Sequence, residues 1–154
     1  AMHLADWGAW IDLTAFPVGP AEDAWSAEDA LLRYLGAGLP AERITVSSDG
    51  GGCLPVFDAD GRVTDMDVGS PGALAAALRA LLDRGQPLER VLPAFTSNPA
   101  DLLRLPDKGR IEAGGDADLV VLNPNGDLTD VMALGRWHMV DGRAVVRGTF
   151  EELP

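Results

Sequence analysis

The sequence predicts an α/β chain in two parts: a first part that alternates strands and helices in the parallel manner, and an all-β second part from about residue 105. Three observations carry this. Segments 9–16 and 43–47 have the alternation or β-branched composition of strands and are separated by a helical stretch. After Leu105 short strand-like runs alternate with Gly and Asn turns. A chain of 154 residues that is 47% hydrophobic and 23% charged has the composition of a globular domain or a large piece of one.

The first residues, with Met2, Leu4 and Ala5 followed by Gly8, read as the tail of a helix closed by glycine. In 9–16, Ile11, Leu13 and Ala15 alternate with Asp12 and Thr14, which predicts a strand stopped by Pro17. An acidic stretch over 22–29 is expected to face solvent. Ser26 with Asp29 gives a capping-box-like start to a helix through Leu31, Leu32 and Leu35, ended by Gly36 and Gly38. Residues 43–47 predict a short buried strand. A Gly-rich turn, 48–53, then leads to a hairpin over 55–64 around Asp60-Gly61. Ser70 as cap and Pro71 as first residue open a helix whose Leu74, Leu78, Leu81 and Leu82 form one apolar stripe, closed by Gly85. Residues 88–95 and 99–103 predict two short helices, with Thr96, Ser97 and Asn98 between them as capping residues. Strands are expected over 117–122, 131–134 and 143–147, with a turn at Asp141-Gly142. The domain boundary falls at 104/105.

Charge and composition exclude several functions. With 24 Asp and Glu against 12 Lys and Arg the formal charge is −12. Nucleic acid and anionic membranes would be repelled, so neither is an expected partner. A complete (β/α)8 barrel of about 250 residues does not fit. One cysteine, Cys53, permits no disulfide within the chain, and no leader or long apolar run is present; a reducing compartment, the cytoplasm, is expected. Lys108 is the sole lysine.

The segment 44–50 is the most informative for chemistry. A carboxylate, Asp49, stands just past the C-terminal end of a buried strand, where α/β enzymes place catalytic groups. Asp-Gly is equally the signature of a turn, and on the dipeptide alone the turn is the simpler reading. Gly50, Gly51 and Gly52 either bend the chain or let backbone N–H groups approach a ligand carboxylate.

Asp49 within Thr45-Val46-Ser47-Ser48-Asp49-Gly50, the Gly69-Ser70 helix start, and the run Lys108-Gly109-Arg110-Ile111, Gly114, Asp116-Ala117-Asp118-Leu119-Val120-Val121 resemble the last part of an amidohydrolase-superfamily enzyme. Ile11-Asp12-Leu13-Thr14, Ser47-Ser48-Asp49-Gly50, Asp141-Gly142-Arg143-Ala144 and Gly148-Thr149-Phe150 narrow the resemblance to isoaspartyl (β-aspartyl) dipeptidases. It runs nearly the whole chain and covers somewhat under half of a family member.

The resemblance implies the C-terminal segment of a (β/α)8 TIM-like barrel over 1–104 and the C-terminal share of a small β-sandwich over 105–154. It implies two divalent metals, usually zinc, bridged by a carboxylated lysine and a hydroxide. Asp49 would then be a metal ligand and the catalytic proton shuttle, with Gly50, Gly51, Gly52 and Cys53 at the substrate. Cys53 stands where relatives carry a substrate-contacting serine, and a thiol is the weaker donor. The family's H-x-H pair, its lysine and its later histidines lie upstream of this chain. His3, His138 and Lys108 do not replace them and are expected as ordinary surface or interface groups, Lys108 as a solvated charge. The implied partners are an isoaspartyl dipeptide substrate, the N-terminal half of the barrel and, as a homo-oligomer, further copies. The chain alone is expected to be inactive. The alternative is a non-catalytic binding or assembly module of the same ancestry. Trp7, Trp10, Trp25 and Trp137 are expected to cover a core or a partner surface.

Overall fold

The computed structural model describes residues 2–18, 24–58 and 60–148. Mixed α/β structure divides into two compact units, residues 1–98 and residues 99–154. The final Thr149-Phe150 of the closing motif and part of the acidic stretch, Glu22 and Asp23, lie outside the described residues.

In the first unit a short helix α1 (Met2–Asp6) precedes strand β1 (Ile11–Thr14), helix α2 (Ala27–Gly36) and strand β2 (Ile44–Ser47). The two strands pair in parallel, Ile11 opposite Ile44 and Thr14 opposite Ser47, and the ladder continues through the Ala15 N–H, which donates to the Ser47 carbonyl at 2.7 Å. Because side chains alternate along a strand, one face of this pair carries Ile11, Leu13, Ile44 and Val46. These join Leu31 and Tyr34 of α2 in the core, where Leu31 and Ile44 are fully buried. The opposite face carries Asp12, Thr14, Thr45 and Ser47.

The start of α2 follows the sequence: Ser26 is the N-cap, accepting from the Asp29 N–H at 3.2 Å, while its hydroxyl donates to the Asp29 carboxylate at 3.0 Å. Strands β3 (Cys53–Phe57) and β4 (Val63–Val68) form the expected antiparallel hairpin, though β4 runs four residues further than the sequence indicated. Helix α3 (Ala73–Asp83) buries Ala77 and Leu81 and half-buries Leu74 and Leu78.

Two expected caps are corrected. Helix α3 begins two residues past Pro71, with Gly72 as its cap, because the Ser70 hydroxyl accepts from the Gly72 N–H and makes a turn that leads into the helix rather than capping it. Helix α4 (Leu88–Val91) runs into a 3₁₀ turn, Leu92–Phe95, and α5 (Ser97–Leu102) already contains Ser97 and Asn98. Asn98 is buried and donates its side-chain amide to the carbonyls of Ala41 (2.7 Å) and Ile44 (2.8 Å), so it secures the entry to β2. Thr96 likewise turns back, its hydroxyl donating to the Leu92 carbonyl.

The second unit holds a four-stranded antiparallel sheet in sequential order: β5 (Leu119–Leu122), β6 (Leu128–Ala133), β7 (Arg136–Val140) and β8 (Arg143–Ala144). The sequence expectation names no strand at β7, whose opening Arg-Trp-His masks the alternation. The tight turn at Leu134-Gly135 places it, with both residues at positive φ. Among the described residues no helix is long and apolar enough to cross a membrane.

Candidate active site

Strand β2 ends at Ser47, and two residues on Asp49 sits at φ +46°, a left-handed conformation that Asp tolerates better than most residues. The loop that follows is closed onto Gly69. The Gly51 N–H donates to the Gly69 carbonyl (2.8 Å) and the Gly69 N–H returns to the Gly52 carbonyl (2.9 Å). The Gly52 N–H donates to the Asp49 carbonyl (2.8 Å), and the Gly50 N–H to the Ser48 hydroxyl (3.2 Å). All three glycine N–H groups of the run are therefore engaged within the loop.

Gly69 must be glycine on steric grounds, since a Cβ there would stand 2.1 Å from the Asp49 carbonyl oxygen. The loop thus presents the exposed Asp49 carboxylate and the exposed Cys53 thiol at one end of the hairpin, both on the C-terminal side of the parallel strands.

Sequence reasoning missed a second carboxylate. Asp12 in β1 accepts from the hydroxyls of Thr45 and Ser47, each at 2.6 Å, so both of its oxygens are held by the neighbouring strand. The signal was present as an Asp in one strand and Thr-x-Ser on one face of the other, and only the register, Asp12 opposite Thr45, brings them together. A cavity of about 540 Å³ in the same unit is lined in part by Ala15, Phe16, Leu54, Asp67, Ser70 and Ala76, and Asp49 does not line it.

Lys108 is a partly solvated charge that is also paired. Its ammonium donates to Asp116 (2.8 Å) and to Asp118, which also accepts the Leu134 N–H at 2.7 Å. The pairing with Asp116 and then Asp118 pushes the Lys108 ammonium above its ordinary range, and Lys108 followed by the Leu134 N–H holds Asp118 below the ordinary carboxylate range. The Lys-Gly to Asp-Ala-Asp run is thus the internal tie of one loop. His3 is exposed and His138 half-buried, in α1 and β7 respectively. Arg43 lies over Trp10 and Arg33 over Trp25, so two of the tryptophans carry a guanidinium instead of a closed core.

Residues 26–138 match the sequence model of the amidohydrolase family. The chain belongs to that family. It is similar over 97% of its length to the β-aspartyl dipeptidase of the thermophilic, keratin-degrading Fervidobacterium islandicum AW-1, solved in complex with a β-Asp-Leu dipeptide, at 35% identity and a TM-score of 0.82. A dihydroorotase of Halobacterium salinarum is 40% identical over 70 residues, 46% of this chain. An N-acetylglucosamine-6-phosphate deacetylase from Thermotoga maritima shares the fold over 83% of the chain and 38% of its own, at 20% identity and a TM-score of 0.59. The chain spans 38% of the dipeptidase and 16% of the dihydroorotase.

Members of the family are generally metal-dependent. The described residues of this chain do not by themselves fit a metal centre. A tight site takes about three or four ligands, and no group of three or more His, Cys, Asp or Glu side chains able to hold a metal ion occurs among the described residues. Asp49 offers one carboxylate, and the Asp12 carboxylate is already held by two hydroxyls.

Proposed function

We propose that the chain is the C-terminal part of a metal-dependent isoaspartyl dipeptidase that hydrolyses β-aspartyl dipeptides. The observation that supports this most is the similarity, over nearly the whole chain, to a β-aspartyl dipeptidase solved with β-Asp-Leu. The dihydroorotase similarity covers less than half of the chain and fits features common to the family rather than a second substrate.

In this reading 1–104 close a (β/α)8 barrel and 105–154 share in a small β-sandwich. Asp49 takes the proton of the attacking water and returns it to the leaving amine, a task that requires a carboxylate at the open end of β2. Zinc is the expected metal, with its remaining ligands supplied from upstream sequence. Gly50, Gly51 and Gly52 border the substrate as a wall without side chains, and Cys53 offers the first side-chain donor after them. Homo-oligomeric assembly in the cytoplasm belongs to the same proposal.

The test compares β-Asp-Leu hydrolysis and zinc content for this chain alone, for the protein with its upstream sequence, and for that protein carrying Asp49→Asn. Asn keeps the shape and loses the basicity, so kcat is expected to fall by roughly 10²- to 10⁴-fold with the fold intact. The chain alone is expected to be inactive and to bind zinc weakly. Turnover by the chain alone, or an unimpaired Asn variant, would overturn the assignment. Binding of the dipeptide without hydrolysis by the complete protein would favour the non-catalytic module.

A further inference from the structure

We infer that Gly52 is a positioning residue for the Asp49 carboxylate, which occupies the space that a side chain at 52 would take. The inference deepens the proposal above and rests on Asp49 being the proton-transfer group.

A Cβ placed on Gly52 would lie 2.5 Å from Oδ1, 2.6 Å from Cγ and 2.7 Å from Oδ2 of Asp49. The three atoms nearest to that missing Cβ therefore all belong to the carboxylate. Gly52 is not among the residues at positive φ, so its φ does not call for glycine. Conformational freedom does not require glycine here; the carboxylate does. The contrast with Gly69 is direct, because there the missing Cβ would meet backbone, the Asp49 carbonyl oxygen at 2.1 Å, which cannot yield without opening the loop. At Gly52 the obstacle is the far end of a rotatable side chain, which can move.

The geometry defines what alanine at 52 would do. Ordinary contact begins near 3.4 Å, so the nearest carboxylate oxygen must retreat by about 1 Å while the loop hydrogen bonds stay available. A displacement of that size at a reacting group costs on the order of 10²-fold in rate.

The experiment uses the protein with its upstream sequence and β-Asp-Leu as substrate, comparing Gly52→Ala, Gly69→Ala, Asp49→Asn and the Gly52→Ala/Asp49→Asn pair. Gly36→Ala serves as control, since a Cβ at that helix end meets nothing within 4 Å. Gly52→Ala is expected to melt like the control, to lose about 10²-fold in kcat with KM little changed, and to add nothing once Asp49 is Asn. Gly69→Ala is expected to lose folded protein. An active Gly52→Ala enzyme beside an impaired Asp49→Asn enzyme overturns the positioning role and leaves the function standing. Losses that multiply in the double variant, or a Gly52→Ala protein that unfolds as Gly69→Ala does, overturn it as well. An unimpaired Asp49→Asn removes the reading of Asp49 and the inference with it.

Discussion

Asp12 shows how one side chain can hold two strands together. Its two oxygens accept from Thr45 and Ser47 at 2.6 Å, across a parallel pair of four residues each, and Thr45 is 3% exposed. Removing the carboxylate leaves the buried Thr45 hydroxyl without its acceptor, and a buried unsatisfied group costs about 1–3 kcal/mol. Asp12→Ala is therefore expected to lower the stability of the complete protein by that amount, read from the denaturant midpoint at an unchanged m-value. Thr45→Val removes the donor together with its need, so the Asp12→Ala/Thr45→Val pair should cost less than the sum of the two. An Asp12→Ala protein as stable as the parent would show that the clamp contributes nothing. In the sequence Asp12 reads only as the polar side of an alternating strand, because its partners lie 33 and 35 residues away and only strand register joins them.

At the scale of elements, what was legible followed local chemistry. The Ser26 cap, the β-branched run of β2 and the Asp60-Gly61 turn act through neighbours in sequence, and each produced its element. The start of α3, the role of Asn98 and strand β7 were not legible for one reason: each depends on a partner chosen in space or on a turn geometry that competes with the local signal. The loop from Lys108 to Asp118 is a mixed case, since the motif was visible and its purpose was not. Lys108 ties Asp116 and Asp118, and Asp118 in turn receives the Leu134 N–H from the β6–β7 turn. Asp118 is depressed on folding, so its contribution is present above the unfolded carboxylate pKa and is lost as pH falls through the lower folded value. Lys108 is raised, so its contribution is present below the unfolded lysine pKa and is lost as pH rises through the higher folded value. The tie is thus expected to hold between the carboxylate and lysine ranges, weakening at both ends and with added salt because the groups are partly solvated. In Lys108→Gln the Asp118 carboxyl, followed by NMR, should titrate closer to the ordinary carboxylate value. An unchanged Asp118 titration would mean that the Leu134 N–H alone sets it.

Over the whole molecule, the two units share a shortage of covered surface. In the hairpin of the first unit, Cys53 pairs with Val68 and Pro55 with Met66, which gives one charge-free face whose four residues are all exposed. The other face sets Leu54 against Asp67 and Val56 against Asp65. In the second unit no strand residue of β5, β6, β7 or β8 is fully buried, although Leu119, Val120, Val131, Met132 and Met139 are among them. Single exposed apolar residues are ordinary on a protein surface, whereas a sheet with no fully buried residue supplies little core. A two-stranded hairpin standing alone is marginal for the same reason. The 154-residue chain produced by itself is therefore expected to bind a hydrophobic dye and to self-associate at micromolar concentration, and the protein with its upstream sequence to bind far less dye per residue. Sedimentation and dye fluorescence on both proteins check this. A monodisperse, dye-silent monomer with one sharp cooperative melt would mean that these faces need no cover, and would favour an autonomous module over a part of a larger enzyme.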